Sequence, residues 1–432
     1  MNGAAESAPE SAAAPPRSAW AWVPSLYFVE GVPYVIVMTL SVIMYKRLGV
    51  SNTDIALWTS WLYLPWVLKP LWSPLAEMFG TKRRWIVALQ FLIGLGLALV
   101  ALALPGPQWF ALSLALFWLM AFASATHDIA ADGFYLLALG THEQAAFVGV
   151  RSTFYRLANI GMQGGLVFLA GRLEQGHERH LAWALVLGLA AAVFGVLAAW
   201  HGLVLPRPAA DRPAPRRAFL PEFATVFAAY FRKPGIVVAL AYLLLYRFPE
   251  AQLLKLATPF LLDPAAQGGL GLATEQVGLA YGTVGLSALT LGGLLGGLVI
   301  ARWGLRRTLW PLAFVMHVPN LVFLLLAWAQ PTSLAVISGA LALEQFGYGL
   351  GFTAYMMFMI LVAESGGGAY KTAHYAICTG FMALGMMLPG MWSGWLQQQL
   401  GYAHFFAWVL VSTLPSLAVT ALLKIPADFG RK

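Results

Sequence analysis

Ser73-Pro74-Leu75-Ala76-Glu77-Met78-Phe79-Gly80-Thr81-Lys82-Arg83-Arg84 closes one long apolar run and opens the next, and Gly297-Leu298-Val299-Ile300-Ala301-Arg302-Trp303-Gly304-Leu305-Arg306-Arg307 does the same in the second half of the chain. In each stretch a small residue starts the turn, a glycine follows, and a basic pair comes after it. Glycine lets two helices approach and the backbone turn sharply, while basic residues resist transfer across a membrane and stay on the side where the chain is made. One such loop is an ordinary basic turn. Two with Gly80 and Gly304 in register, each after the second apolar run of its half, point to internal duplication.

The composition around these loops agrees with that reading. Of 432 residues, 60% are apolar and 10% charged, against roughly 25% charged in a soluble domain, which excludes a soluble globular protein. Since about 20 apolar residues cross a bilayer as a helix, the chain has room for a dozen crossings. Unbroken apolarity also excludes an outer-membrane barrel, whose strands alternate apolar and polar residues. Cys378 is the single cysteine, so there is no disulfide framework or cysteine metal cluster, and the histidine spacing matches no zinc motif. No metal and no cofactor are expected. Apolar runs bounded by charge, Gly and Pro place helices at 20–46, 53–79, 84–104, 108–139, 146–171, 181–205, 234–262, 274–301, 308–329, 332–362, 371–398 and 402–425. The fold class is therefore an all-α membrane protein with twelve transmembrane helices in two pseudo-symmetric six-helix bundles. Its parts are a disordered tail (1–19), a first bundle (20–205), a linker (206–233) with a short surface helix near Phe219 to Tyr230, a second bundle (234–425) and a C-terminal tail (426–432). The tail lacks the basic and apolar regions of a cleaved signal.

Counting Lys and Arg by alternate loops puts seventeen on the side of the termini and linker and four, Lys46, Arg47, Arg172 and Arg179, on the other. The excess places both termini in the cytoplasm. The basic charge then serves orientation, and nucleic acid is not an expected partner.

Charges inside lipid cost several kcal/mol and default to function. Glu30 lies in the first span, Lys69 in the second, His127, Asp128 and Asp132 in the fourth, Arg151 and Arg156 in the fifth, Arg247, Glu250 and Lys255 in the seventh, and Glu344 in the tenth. Asp128 and Asp132, four apart, share a helical face. Two carboxylates so close repel, and one of them holding a proton relieves the repulsion, as a proton-coupled carrier requires; alternatively either acid pairs with Arg151 or Arg156 on the next helix. Arg247 and Glu250, three apart, can satisfy each other, or Arg247 can bind an anionic or hydroxyl-rich ligand. Glu30 is a proton site or the partner of a basic residue. Glu344-Gln345-Phe346-Gly347-Tyr348-Gly349-Leu350-Gly351 has no strand before it and no Lys-Ser or Lys-Thr after it, which excludes a phosphate-binding loop. Tyr34, Trp61 and Tyr63 lie alongside the acids and could stack on sugar rings, although aromatic residues also anchor membrane interfaces.

The repeated turn resembles the loop motif of the major facilitator superfamily, with Glu77 where that loop has aspartate. On this resemblance Glu77, Gly80, Lys82, Arg83, Arg84, Arg302, Gly304, Arg306 and Arg307 form the gating motif. Within the superfamily, Lys69-Pro70-Leu71-Trp72-Ser73-Pro74, Ala123-Ser124-Ala125-Thr126-His127-Asp128-Ile129 with Asp132, Tyr246-Arg247 with Glu250, and Glu344 with Gly349 and Gly351 look like the branch of muropeptide permeases and acetyl-CoA transporters. That resemblance implies a proton-coupled importer of cell-wall fragments, disaccharides of N-acetylglucosamine and anhydro-N-acetylmuramic acid with or without peptide, in the bacterial inner membrane. It makes Asp128 and Glu344 the essential acids and Arg247 the substrate-binding or charge-balancing base; Glu30, which stands where the bacterial permeases have a small residue, and Asp132 are further proton-coupling candidates as charges within apolar runs. Arg247, Glu250, Tyr34, Trp61, Tyr63, Gln345, Lys69 and Arg156 are the candidate substrate-binding residues. The implied partners are a glycan or muropeptide small molecule, protons and membrane lipid, the carrier working as a monomer. Import of another saccharide is the alternative. A membrane-embedded enzyme would need a catalytic loop that these short connections do not offer, and a receptor or channel does not explain the paired halves.

Overall fold

The structure is a computed structural model that describes residues 18–213, 219–366 and 370–431, with the backbone alone at 74–77, 141, 145, 148 and 219–222. Its crossings are α1 (Ala19–Arg47), α2 (Asn52–Trp61 and Leu64–Met78), α3 (Lys82–Ala103), α4 (Trp109–Ala138), α5 (Thr141–Ile160, continued through Gly161–Leu166 and Val167–Leu173) and α6 (Arg179–Val204). After a linker helix (Phe219–Phe231) come α7 (Ile236–Leu262), α8 (Thr274–Trp303), α9 (Leu305–Ala329) and α10 (Leu334–Glu364). The run Lys371–Ala421 is too long for one crossing and folds back at Gly401, where φ is 73° and ψ 167°, into α11 and α12. Nine of these helical runs are long and apolar enough to cross a membrane as they stand. That ninth run supplies two crossings, α2 falls short because it breaks at Leu62–Tyr63, and α5 because of its polar first half, so the described residues contain the twelve helices expected. Start signals are local: Ser51, Thr81 and Ser333 each accept a backbone N–H of the first turn through the side chain.

Two boundaries read from the sequence need correction. The second helix is two segments, and the fifth begins at Thr141, ahead of the apolar run, because its first turn is the polar Thr141-His142-Glu143-Gln144, whose Glu143 accepts the Gly140 amide at 3.1 Å. The N-terminal tail, up to residue 17, lies outside the described residues.

The repeated loops fold alike. Gly80 and Gly304 both have positive φ, 80° and 78°, a conformation costly for any residue with a Cβ. After Gly80, the backbone amides of Lys82 and Arg83 donate to the Asp211 carboxylate at 2.8 and 3.1 Å, and the Arg83 guanidinium donates to the carbonyls of Gly202 and Leu205 at the end of α6. The Glu77 side chain lies outside the described residues. After Gly304, the Leu305 amide donates to the Phe429 carbonyl at 2.9 Å, so the C-terminal segment covers the second copy.

Within the first half α3 packs on α4 and α6, and α1 on α4 and α5; within the second α8 and α9 pack on α10, and α7 on α11. The halves meet along α2–α11 and α5–α8. At α5–α8 both helices widen into π-helical turns, Gly161–Leu166 and Gly278–Gly285, that press backbone on backbone: a Cβ on Gly164 would overlap Thr283, and one on Gly282 the Gln163 carbonyl. These contacts lie toward the face opposite the linker. Toward the linker face α5 and α8 part.

Candidate functional site

Three helices break near their middles, and the breaks set where polar side chains point. In α1, Pro33 removes an N–H donor and Ile36–Leu40 widens to a π-helical turn. The α2 segments separate at Leu62–Tyr63, and the α7 segments at Tyr246–Arg247, where Arg247 sits at φ −98°, ψ 14°. The second segments of α2 and α7 start with Pro65 and Pro249 in the first turn, where a missing N–H costs nothing. The breaks bring Tyr34, Tyr63 and Arg247 near one another.

In the first half, Asp128 and Asp132 each have a cation. Asp128 on α4 accepts from Lys69 Nζ at 3.4 Å and from Trp66 Nε1 at 3.3 Å, both on α2. Asp132, one turn on, pairs with Arg151 of α5 at 2.6 Å and accepts from the Tyr27 hydroxyl at 3.3 Å, and the Arg151 guanidinium stacks over Tyr27 at 4.4 Å. Glu30 on α1 is buried beside this group, close enough to feel Asp128, Asp132, Arg151 and Lys69, yet its Oε2 has no hydrogen-bond partner. Behind Asp128 a buried chain runs from His127 through the Gln90 amide to His201 and Ser25, with steps of 2.9, 2.8 and 2.9 Å, tying α4 to α3, α6 and α1.

In the second half, Glu250 and Glu344 form no ion pair among the described residues. Glu250 on α7 and Glu344 on α10 are fully buried and lie close enough to interact. Neither Glu250 oxygen has a hydrogen-bond partner; Glu344 accepts from Gln345 Nε2 at 2.9 Å through one oxygen, and its other has none. The two residues that spacing could have paired, Arg247 and Glu250, do not bond. Arg247 turns to the Tyr348 hydroxyl and stacks over Phe352 at 4.8 Å, its Nε unpartnered. Gln345 also reaches the Tyr281 hydroxyl at 3.3 Å. Lys255 on α7 crosses between the halves: buried, it donates to Thr59 Oγ1 of α2 at 2.9 Å and faces the Tyr63 ring at 5.3 Å.

Of the residues singled out in the sequence, Glu30, Asp128, Asp132, Lys69 and Tyr34 gather in the first half, and Arg247, Glu250, Glu344 and Gln345 in the second, with Tyr63 between. Arg156 leans on α8, its guanidinium within 3.5 Å of where a Gly293 Cβ would sit, and meets no acid among the described residues. Trp61 packs against the apolar core. Sequence reasoning gave no role to Tyr348, Phe352 and Tyr281, whose type alone does not separate them from interface aromatics, and gave Lys255 no role although a lone lysine in an apolar run was a visible signal.

Among the described residues no cluster of His, Cys, Asp and Glu could hold a metal ion. What the arrangement offers is a polar, aromatic-walled layer between two duplicated bundles, and comparison with known proteins agrees. The sequence profile of the Major Facilitator Superfamily matches residues 25–377. The chain belongs to that superfamily. It is thus a multi-pass membrane transporter, similar to the anhydromuropeptide permease of Escherichia coli strain K12, at 26% identity over 85% of this chain and 72% of that one. It is also similar to the Rickettsia conorii transporter AmpG 4, at 24% identity over 92% and 94%. The resemblance to the muropeptide permeases read from the fourth, seventh and tenth helices is borne out. Among solved structures, the nucleoside transporter NupG superimposes with a TM-score of 0.71 at 16% identity, covering 94% of this chain and 98% of that one. A D-xylose–proton symporter superimposes at 0.64 and 13%, with the same coverage. At such identities the superfamily fold is what is shared.

Proposed function

We propose that this transporter is a proton-coupled symporter that imports cell-wall fragments of the N-acetylglucosamine–anhydro-N-acetylmuramic acid type across the bacterial inner membrane, with both termini in the cytoplasm. The observation that carries the reading is the similarity, over most of both chains, to relatives named as anhydromuropeptide permeases, joined to a layer whose groups suit such a ligand. Sugar hydroxyls and acetamido groups need donors and acceptors together, which Tyr34, Tyr63, Tyr348 and Gln345 supply, and flat aromatic faces for the ring. A carboxylate on the ligand would find Arg247 and Arg156 without acidic partners. Glu250, Glu344, Glu30 and Asp128 are carboxyls that can exchange a proton as water comes and goes between the halves. Rocking of the bundles would expose this layer to each side in turn, with the face opposite the linker shut in the arrangement described. The basic turns at Gly80 and Gly304 then sit on the cytoplasmic side, where they steady that rocking.

Uptake into proteoliposomes of a labelled panel tests this: the anhydro-disaccharide, a muropeptide, plain oligosaccharides and acetyl-CoA, with and without an inward proton gradient. Gradient-dependent uptake of the anhydro-disaccharide in preference to the others is expected. Preference for a plain oligosaccharide would move the substrate to another glycan, and uptake indifferent to the gradient would remove the proton from the mechanism.

A further inference from the structure

The face opposite the linker carries a cavity of about 540 Å³, lined from both halves by Lys46, Asn52, Asp263, Gln267, Gln397, Gln398 and Tyr402 among others. Its volume falls within the range of small-molecule sites. Its floor is a closed ring of hydrogen bonds. Lys46 Nζ meets Asp263 Oδ1 at 2.6 Å and donates to Asn52 Oδ1 at 2.8 Å; the Tyr402 hydroxyl donates to Asp263 Oδ2 at 2.6 Å; and the Asn52 amide donates to Gln397 Oε1 at 2.8 Å and to the Tyr402 oxygen at 2.9 Å. The ring joins the ends of α1, α7 and α11 to the starts of α2 and α12, so it bonds one half to the other. Directly below, α11 has Gly394, where a Cβ would overlap the Asn52 carbonyl, and below that Lys255 holds Thr59.

The rim holds hydrogen-bonding capacity that the ring does not use. Gln397 spends only its oxygen on Asn52, Gln398 only its oxygen, on Thr53 at 2.8 Å, and the Gln267 side chain bonds to nothing among the described residues. Three carboxamides with free N–H groups around one ion pair are a lining for a neutral or weakly charged ligand rich in hydroxyl and amide groups.

We infer that this cavity is an outer vestibule that takes a saccharide before the transporter opens, and that the ligand loosens the closure by competing for the Asn52, Tyr402 and Asp263 groups that hold the halves together. The ligand class rests on the proposed import of glycan fragments; the vestibule itself rests on the ring and the unspent amides. Binding at the rim costs the closed state hydrogen bonds that the open state does not need, so a ligand there favours opening by its differential affinity for the two states.

The test uses the full chain in vesicles oriented with this face outside, loaded with the same panel of sugars. Gln267 and Gln398 are exposed and outside the ring, so the double variant Gln267→Ala/Gln398→Ala keeps the fold, checked by an unchanged thermal midpoint. It is expected to raise the apparent KM for the carried saccharide about tenfold, as for the loss of two hydrogen-bonding side chains, with the maximal rate within about twofold and efflux from the linker side unchanged. An unchanged KM, or a KM raised equally from both sides, overturns the vestibule while leaving the transport function standing. If a plain oligosaccharide alone is carried, the muropeptide assignment fails and the vestibule is judged on that sugar by the same double variant. No uptake of any saccharide by the unaltered protein overturns both.

Discussion

Both halves set an acid on their first helix and another on their fourth, Glu30 and Asp128 in one, Glu250 and Glu344 in the other; the first-helix acids both keep buried oxygens without partners, and the halves differ at the fourth helix, where the first supplies cations and the second, among the described residues, does not. In the first half Asp128 has Lys69 and Asp132 has Arg151. In the second, Arg247 is spent on Tyr348 and Phe352, and the two glutamates keep oxygens without partners in full burial. Duplication therefore preserved where the acids sit and not what they do. A matched pair can be broken and remade as helices shift. An unmatched buried carboxyl can only be carried by exchanging a proton, because an isolated buried charge is far more costly than a paired one.

The largest effect should follow from removing the unmatched acids. Glu344→Gln is expected to cut gradient-driven uptake by about a hundredfold or more, the scale of losing a required proton-transfer group, while exchange of labelled for unlabelled substrate without a gradient survives. Glu250→Gln should behave alike. Uptake driven as before by the gradient in both variants would end the assignment of proton exchange to the second half.

Asp128 comes next. Asp128→Asn strands Lys69, and removing one partner of a half-buried pair leaves the other charge poorly compensated, so uptake should fall by about tenfold or more and recover in part in Asp128→Asn/Lys69→Met. Recovery sharpens the comparison: it says that Asp128 works through its pairing. No recovery, with exchange intact, would place Asp128 with the glutamates instead. Asp132 should matter less, because its side chain is 48% exposed and that of Arg151 30%; Asp132→Asn is expected to change uptake by about twofold or less, in keeping with the small worth of exposed pairs. A loss as large as that of Asp128→Asn would show the two acids acting as one coupled unit, the alternative that their four-residue spacing raised.

The sequence shows the acids because a charge in an apolar run stands out, and the fold because the glycine turn recurs at Gly80 and Gly304. It hides their partners. Asp128 meets Lys69 and not an arginine of the fifth helix, since the break at Leu62–Tyr63 re-aims the rest of α2; Pro65 and Pro249 were the local signs of both breaks, but a proline near the start of a helical segment reads equally well as one in mid-run. The ring of Lys46, Asn52, Asp263 and Tyr402 was less legible still, because each residue looks like an ordinary loop polar group until the halves are brought together.

The smallest expected effect concerns how the linker is fastened, where the halves again differ. On the first half Asp211 receives the Lys82 and Arg83 amides, a carboxylate at the N-terminus of α3; on the second, Lys233 donates to the carbonyls of Val362, Ala363 and Ser365 at 2.6, 3.1 and 2.6 Å, an ammonium at the C-terminus of α10. Each charge opposes the dipole of the helix end it caps. Lys233 is buried, with three carbonyls depending on it, whereas Asp211 stays within reach of water. Lys233→Met should therefore lower stability by about 1–3 kcal/mol and Asp211→Asn by about 0.5–1 kcal/mol, both read as a fall in the thermal midpoint of the purified protein in detergent. Uptake per folded molecule should be unchanged in either, since neither side chain reaches the layer between the halves. If Asp211→Asn proved the more damaging, the linker would be anchored chiefly to the first half, and its helix on α11, where Tyr230 meets Cys378 at 3.3 Å, would be the looser end.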